Sequence, residues 1–370
     1  MRFPLLPVLA LAALLAGPAR AADSWTVTTV RVPTEVIDPD LETRGGLAVR
    51  GLNDAGQWVG TFGERNATIW GMPHGVAYDL PGYADLAGPG SLGRDITGTM
   101  RIGLIEASRY VDPNFRYLDL RPAQNSDFNA LATTPNAVNA QGLVVGSIGA
   151  DAFNAQPLTA FAYDSQNGQM QLLQVPGAIS SVANGVNAQG QIVGTYVDGQ
   201  NVSHGFLWSG QGFATLDDPS AGRYLSTTVT GINDLGDIVG WFDNPATNQV
   251  TSFIYRKGQF FDFTAQGRAT FASGINDAGT VVGWVNGSGE RMGFVYAGGS
   301  SQILDLSAGD SSTYLYAINN NGVIGGSVGD LGVLVSSVPE PANGLLLMAG
   351  LALLAPSSRR RHRRQRLGRS

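Results

Sequence analysis

Residues 274–283 read GINDAGTVVG, a short apolar segment, a tight turn and a second short apolar segment. Asn276 takes the first place of the turn, where an asparagine side chain can bond the backbone two residues further on. Gly279 takes the fourth place, which often needs a positive φ that glycine adopts without steric cost. The stretch therefore predicts two antiparallel strands joined by an asparagine–glycine turn.

The same pattern occurs six times, starting at residues 51, 137, 185, 231, 274 and 317. The intervals are 86, 48, 46, 43 and 43 residues, and because the first is twice 43, a degenerate seventh copy is expected at residues 95–103 (DITGTMRIG). The predicted turn residues are Asn53, Gly56, Asn139, Gly142, Asn187, Gly190, Asn233, Gly236, Asn276, Gly279, Asn319 and Gly322. Units this short cannot bury a core alone, so the repeats are predicted to stack.

Two further strands follow the turn in each repeat. The third carries aromatic residues two positions apart, which places both on one face of a strand. These pairs are Phe161/Tyr163, Phe206/Trp208, Phe253/Tyr255 and Phe294/Tyr296. We assign them to the core between sheets, with a ligand-stacking stripe as the alternative. Four strands per repeat predict an all-β fold, a β-propeller of about seven four-stranded blades.

The last repeat reaches the C-terminal tail after only three strands, whereas residues 25–32 resemble a fourth strand without a repeat of its own. We predict that this N-terminal strand completes the last blade and closes the ring, which removes the exposed sheet edges. The predicted domains are a signal peptide at 1–21, the repeat propeller at 22–336 and a sorting tail at 337–370.

The N-terminus has three parts: Arg2, an apolar run, and the small-residue site Ala19-Arg20-Ala21. This arrangement predicts a helical signal that signal peptidase removes before Ala22. At the other end, Val338-Pro339-Glu340-Pro341 precedes an apolar stretch at 342–355. As a helix, those fourteen residues span about 21 Å of a hydrocarbon layer about 30 Å thick, so we expect a short, transient membrane helix. The basic tail contains Arg359, Arg360, Arg361, Arg363 and Arg364.

The Val-Pro-Glu-Pro motif, short helix and arginine run together resemble the PEP-CTERM sorting signal of Gram-negative bacteria that make exopolysaccharide. The resemblance covers about the last 30 residues and implies cleavage near the motif by exosortase, a membrane protease. It places the mature protein in the cell envelope, on the cell surface or in the extracellular matrix.

The repeat pattern followed by His204-Gly205-Phe206-Leu207-Trp208 is similar to the HAF extracellular repeat family of bacterial exported proteins. The resemblance covers most of residues 44–336 and implies architecture and export but no reaction. A histidine recurs only at His74, so the resemblance gives no shared histidine function.

Composition narrows the function classes. Nine of the 23 basic residues but only one of the 29 acidic residues, Glu340, lie in the two ends, which leaves a body with 14 basic and 28 acidic residues. Such a body argues against nucleic acid, which is bound through its phosphates by Lys and Arg. The chain has no cysteine and three histidines, so we predict no cofactor and no metal. Asp54, Asp234 and Asp277 beside the turns leave calcium as an alternative to turn capping.

These observations predict a non-catalytic, glycan-binding repeat domain in an exopolysaccharide or biofilm layer. One alternative is a propeller-type glycosidase or lyase, for which no catalytic residues can be named, since nothing shows which carboxylates meet in space. An inert structural surface protein is the other.

Overall fold

The structure is a computed structural model. It describes residues 20–22, 25–30, 47–62, 74–79, 82–89, 92–97, 100–104, 109–111, 117–119, 132–149, 157–222, 226–307 and 311–337. Every regular element in these ranges is a β-strand, apart from one turn of 3₁₀ helix at Pro219–Ala221. The predicted all-β class is therefore confirmed.

The strands of the N-terminal half are, in chain order, β1 (Arg20–Ala22), β2 (Trp25–Val30), β3 (Leu47–Leu52), β4 (Trp58–Phe62), β5 (His74–Asp79), β6 (Gly82–Pro89), β7 (Leu92–Thr97), β8 (Met100–Leu104), β9 (Arg109–Val111), β10 (Tyr117–Asp119), β11 (Ala132–Val138), β12 (Leu143–Gly149), β13 (Thr159–Asp164) and β14 (Gln169–Leu172). Strands β3–β6 and β11–β14 form four-stranded sheets, whereas β7–β8 and β9–β10 form sheets of two strands.

The remaining strands are β15 (Ala178–Val186), β16 (Ile192–Asp198), β17 (Ser203–Trp208), β18 (Phe213–Leu216), β19 (Thr227–Ile232), β20 (Ile238–Asn244), β21 (Gln249–Arg256), β22 (Gln259–Phe263), β23 (Thr270–Ile275), β24 (Val281–Asn286), β25 (Arg291–Ala297), β26 (Ser300–Leu304), β27 (Thr313–Ile318), β28 (Ile324–Val328) and β29 (Leu331–Ser337). Strands β15–β18, β19–β22 and β23–β26 form three more four-stranded sheets, and every pairing in these sheets is antiparallel.

The predicted closing strand is confirmed. Strand β2 pairs with β29 along its whole length, from Trp25 opposite Ser337 to Val30 opposite Gly332. The last sheet therefore combines both ends of the chain, in the order β1-β2-β29-β28-β27. Val27 packs into the same core cluster as residues of β28 and β29, so closure buries apolar surface as well as pairing the edge.

Residues 20–22, at the end of the predicted signal peptide, form strand β1, so the predicted signal helix does not extend into them. This segment pairs with β2, with Arg20 opposite Val27 and Ala22 opposite Trp25. The physical reason is that β2 would otherwise leave a row of unpaired backbone groups at the edge of the sheet. The rest of that helix and the predicted helix at 342–355 lie outside the described residues. No helix in the described part of the chain is long and apolar enough to span a membrane.

The degenerate repeat lies where its spacing predicts it. Strands β7 and β8 pair from Leu92 opposite Leu104 to Thr97 opposite Met100. Only two residues separate these strands, whereas four or five separate the equivalent strands of the other repeats. The shortened connection has lost the asparagine turn.

Steric crowding explains why the last residue of the motif is glycine. It lies in the second strand of each repeat, and the first strand beside it contains a β-bulge. A Cβ on Gly240 would lie 2.6 Å from the Phe253 ring and against the first-strand carbonyl of Thr228. Gly194 and Gly283 meet equivalent obstacles, Phe206 and Phe294. These third-strand phenylalanines are at most 1% exposed, as is Phe161, which confirms that they belong to the core.

The first strands of successive sheets lie side by side in a closed ring, in the order β3, β7, β11, β15, β19, β23, β27 and back to β3. Each first strand ends at its asparagine turn, so the six turns share one end of the ring, which we call the turn face. Because antiparallel strands alternate in direction, first and third strands begin at the opposite end. We call that end the loop face; the connection after β16 (residues 199–202) is one example.

Candidate functional site

At the turn face, five hydrogen bonds join the motif asparagines of neighbouring repeats. In each turn the asparagine Oδ1 accepts the backbone N–H four residues on, and the glycine N–H donates to the asparagine carbonyl. In five of the six turns the asparagine Nδ2 donates to the carbonyl of the next asparagine. These bonds run Asn139 to Asn187 (2.9 Å), Asn187 to Asn233 (3.2 Å), Asn233 to Asn276 (2.9 Å), Asn276 to Asn319 (3.1 Å) and Asn319 to Asn53 (2.9 Å).

The turn residues therefore bind one another. All six asparagines are buried, and the six turn glycines have φ between 75° and 83°. The bond from Asn319 to Asn53 joins residues 266 positions apart and links the last repeat to the first, at the same place as β2 and β29. Since burial leaves these amides no access to solvent, we assign them to architecture.

The residues after these asparagines surround a cavity of about 380 Å³ at the centre of the turn face. Its rim includes the carboxylates of Asp54, Asp234 and Asp277, and its floor includes Ile232 and Ile275. Each carboxylate also accepts a backbone N–H from the preceding turn of the ring: Asn320 donates to Asp54 (2.7 Å), Ala188 to Asp234 (2.8 Å) and Asp234 to Asp277 (2.9 Å).

The calcium alternative gains no support from this arrangement. In the ranges given above, no three or more His, Asp or Glu side chains come together as metal ligands. The three aspartates are turn-linking groups that also give the cavity a negative rim.

Inside the ring, the bulged residues of four first strands donate a hydrogen bond to the neighbouring first strand. Asn136 and Asn184 donate through Nδ2 to the carbonyls of Ala183 (2.9 Å) and Val229 (2.8 Å). Thr230 and Ser273 donate through Oγ to the carbonyls of Ala272 (3.0 Å) and Leu315 (2.7 Å). We call these positions the bulge ring.

The bulge ring changes chemistry where the chain ends meet. Its next members are Tyr316 and Arg50, and the Arg50 guanidinium carbon lies 4.0 Å from the centre of the Tyr316 ring. A cation–π contact thus replaces the hydrogen bond used in the other repeats.

Five half-buried aromatic side chains continue from this point toward the loop face. We call them the aromatic row: Trp241, Phe271, Trp284, Tyr314 and Tyr316. Ring centres are 5.5 Å apart for Trp241–Phe271, 5.8 Å for Phe271–Trp284, 5.6 Å for Trp284–Tyr314 and 5.9 Å for Tyr314–Tyr316. The row crosses three successive sheets, so it exists only once those sheets are packed together.

Two arginines flank the row. Arg50 covers Tyr316, and Arg291 donates from Nη1 to the Tyr314 hydroxyl (2.6 Å) with its guanidinium 5.3 Å from that ring centre. Phe271 and Tyr314 are the second residues of their first strands, and Arg291 begins a third strand. The row therefore runs from inside the ring to the loop face.

A second polar cluster surrounds His204. Its Nδ1 lies 2.7 Å from Asp217 Oδ2, its Nε2 lies 3.4 Å from Asp198 Oδ2, and its ring stacks on Tyr196 at 5.0 Å. Burial lowers the pKa of His204, but the hydrogen bonds and charges of Asp217 and Asp198 outweigh it, so the pKa is raised overall. The equivalent histidine, His74, begins β5 in another sheet, so the two do not form one site.

Asp218 is a buried carboxyl that sequence reasoning missed. It is 3% exposed, and its Oδ1 accepts the N–H of Ser220 (2.7 Å) at the start of the 3₁₀ turn. Burial, reinforced by the neighbouring Asp262 carboxylate, raises the pKa of Asp218 to about 6. The sequence shows two aspartates 44 residues apart in a chain with 29 acidic residues, so nothing pointed to this pair.

The aromatic row was also missed, although the sequence contains a signal. The position after the second-strand glycine is Thr61, Ser147, Thr195 or Ser327 in four repeats but tryptophan, Trp241 and Trp284, in two. Comparing repeats for differences would have exposed it, whereas the search for shared residues found the turns. The signal-peptidase site residue Ala19, the sorting motif Val338–Pro341 and the arginine tail lie outside the described residues; Ala21 and Ala22 lie in β1.

The sequence matches no protein-family model and no curated protein. Solved structures do match. A streptogramin B lyase structure aligns with a TM-score of 0.53 over 85% of this chain and 98% of its own, at 10% identity. The β-propeller domain of the Trilobed protease from Pyrococcus furiosus, described as having an open velcro topology, gives 0.53 over 80% and 99%, at 11% identity.

A puromycin-hydrolysing peptidase from Mycobacterium tuberculosis gives a TM-score of 0.54 over 81% of this chain and 52% of its own, at 12% identity. At such identities the likeness shows the fold alone. This chain therefore has a β-propeller fold, and its function must be argued from its own residues.

Proposed function

We propose that this protein is exported, cleaved by signal peptidase and sorted by exosortase, and that its propeller binds glycans without catalysis. Its place would be the Gram-negative cell surface or the exopolysaccharide and biofilm matrix. The sorting half of the proposal is supported by the Pro-Glu-Pro tail, and the binding half by the aromatic row. We also propose a blade count of seven, in which β7–β8 and β9–β10 together form one blade, because β7 lies in the ring between β3 and β11.

The aromatic row is the observation that carries glycan binding. Its rings are half-buried, neighbouring and accessible at one end of the ring of strands. Ligand sites commonly combine apolar and aromatic surface with a few oriented polar groups, and here Arg50, Arg291 and the tyrosine hydroxyls supply the polar groups. The apolar faces of sugar rings can pack on such a surface while their hydroxyls reach the polar groups.

Glycan binding is tested with the purified full chain on a glycan array and by retention of matrix polysaccharide. The informative variants are Trp241→Thr and Trp284→Ser, because other repeats use threonine or serine at the same position and fold with them. We expect both to abolish retention with the melting temperature nearly unchanged. Phe261→Ala, at an exposed aromatic residue outside the row, is the matched control. If no polymer is retained by the parent protein, the inert structural alternative is favoured.

Export is tested by the intact mass of the native surface protein. We expect a chain that begins at Ala22 and ends near Pro339. A mass that retains the arginine tail would contradict exosortase processing without bearing on glycan binding.

The enzyme alternative requires a suitable pair of carboxyl groups, and we examine Asp218 and Asp262 as that pair. Retaining and inverting glycosidases hold their two carboxyl groups about 5–10 Å apart so that a sugar or a water fits between them. Asp218 is instead 3% exposed, and both carboxylates accept hydrogen bonds from Ser220, Asp218 from its N–H (2.7 Å) and Asp262 from its hydroxyl (3.0 Å), so Asp218 is not presented to a substrate. Incubation of the protein with matrix polymer, followed by chain-length analysis, tests this alternative. Shortened products would show that the protein cleaves the polymer and would overturn the proposal of binding without catalysis.

A further inference from the structure

We infer that the glycan bound by the aromatic row is anionic, with sugar carboxylates paired to Arg50 and Arg291. This inference rests on the proposed glycan binding and names the class of glycan. Arg50 lies at the inner end of the row and Arg291 at the loop face, and each is held against a tyrosine.

Both guanidinium groups have unused donor capacity. A guanidinium has five N–H donors in a planar fork. Arg291 uses one on the Tyr314 hydroxyl, and Arg50 makes a ring contact without a hydrogen bond to any described residue. Within the described ranges neither arginine forms an ion pair, whereas Arg256 on the turn face is paired with Asp237 at 2.6 Å. Among the described residues, none compensates these two positive charges beside the row.

The acidic side chain next to Arg291 forms no ion pair with it. Glu290 precedes Arg291, but its Oε2 accepts a hydrogen bond from the Ser312 hydroxyl (2.7 Å), and Ser312 Oγ in turn accepts the N–H of Arg291 (3.1 Å). This pair of bonds fixes the backbone at the start of β25 and directs the Glu290 carboxylate to Ser312.

The chemistry of the arginines favours a carboxylate. A planar guanidinium matches a carboxylate through two parallel hydrogen bonds, and stacking on tyrosine fixes its orientation before the ligand arrives. Neutral sugars would need neither positive charge.

Because the body of the protein is acidic, binding of an anionic glycan depends on the two arginines beside the aromatic row. The body is acidic and the turn face has an aspartate rim, so a polyanion is repelled at long range and from that side. Binding an acidic polymer therefore requires approach from the loop face and direct contact with Arg50 and Arg291. The expected binding is short-range and selective instead of a general affinity for polyanions.

The test is calorimetric titration of the full chain with an oligogalacturonate and with the same oligosaccharide after reduction of its carboxylates to alcohols. We expect the carboxylated form to bind about tenfold more tightly for each arginine that engages it. Arg50→Gln and Arg291→Gln should each remove about tenfold of that preference and leave the affinity for the reduced form unchanged. Arg256→Gln is the control, with both affinities unchanged.

The outcomes separate the inference from the proposal beneath it. Equal binding of both forms by the parent protein would overturn the carboxylate inference and leave glycan binding intact. Binding of neither form, on an array that also shows no other glycan, would overturn both. Arg50→Lys covers the case in which Arg50→Gln unfolds: it keeps the charge but loses the fork, so we expect partial loss of preference, and full retention would count against bidentate pairing.

Discussion

At the turn face, six repeats place the same asparagine in the turn, and five of these asparagines donate to the next turn. In the bulge ring the equivalent position is asparagine twice, then threonine, serine, tyrosine and arginine. Both rings join neighbouring first strands. The turn ring must satisfy buried backbone carbonyls in every repeat, so its chemistry is fixed. The bulge ring needs only some bridge between strands, which allows a few repeats to carry side chains suited to a ligand.

The largest expected effect on stability comes from removing the strand that closes the propeller, because both rings depend on closure. Deletion of Trp25–Val30 removes the ladder to β29 and the buried Val27, and it leaves β29 as an exposed edge. We expect the cooperative melting transition, as measured by circular dichroism, to be lost. Deletion of Arg20–Ala22 is the control and should melt like the parent, since β1 lies outside the closing strand. Equal melting of both deletions would refute closure.

The next effect separates the two rings. Asn233→Ala removes the acceptor for the N–H of Asp237 (2.8 Å) and the donor to the carbonyl of Asn276 (2.9 Å), both buried. Each stranded group costs about 1–3 kcal/mol, so we expect a loss of roughly 2–4 kcal/mol in the free energy of unfolding by urea titration. Thr230→Val in the bulge ring, which loses one hydroxyl donor, should cost about 1 kcal/mol. A larger loss for Thr230→Val would reverse the comparison.

A third change tests the glycine that lies beside the bulge. Gly240→Ala places a methyl group against the Phe253 ring and the first-strand backbone, for which we expect a loss of about 1–3 kcal/mol from overpacking. Gly199→Ala is the control, because nothing lies within 4 Å of its added Cβ. Thermal melting of the two variants measures the difference, and equal stability would show that the bulge relaxes to admit a side chain.

The smallest effect concerns Asp218. Its pKa is raised to about 6 in the folded protein from 3.8, so its stabilising contribution is complete below about pH 3.8 and is lost as pH rises through about 6. Asp218→Asn keeps the acceptor for Ser220 and removes the buried charge. We expect it to stabilise the protein at pH 7 relative to pH 4 by on the order of 1 kcal/mol, measured by urea titration.

The control for this prediction is Asp243→Asn, which removes one negative charge from an exposed residue near the end of β20. A variant of Asp218 that gains nothing at pH 7 would show that the carboxyl is ionised in the folded protein without cost.

The sequence by itself determined the all-β class, the spacing of the repeats, the position of the degenerate copy and the strand that closes the ring. These follow from local chemistry: an asparagine–glycine turn and alternating apolar residues specify strands wherever they occur. The last repeat has only three strands and the N-terminus has one strand without a repeat, so pairing these two ends was the arrangement that removed the exposed sheet edges.

Only the tertiary structure decided which side chains from different sheets contact one another. Trp241, Phe271, Trp284, Tyr314 and Arg50 come from four different sheets, and their neighbourhood depends on how the sheets pack and on which residue each bulge displaces. The same holds for Asp218 beside Asp262, whose pKa is set by burial. Strand periodicity assigns a residue to a face of its own sheet, but contact between sheets depends on the closed ring as a whole.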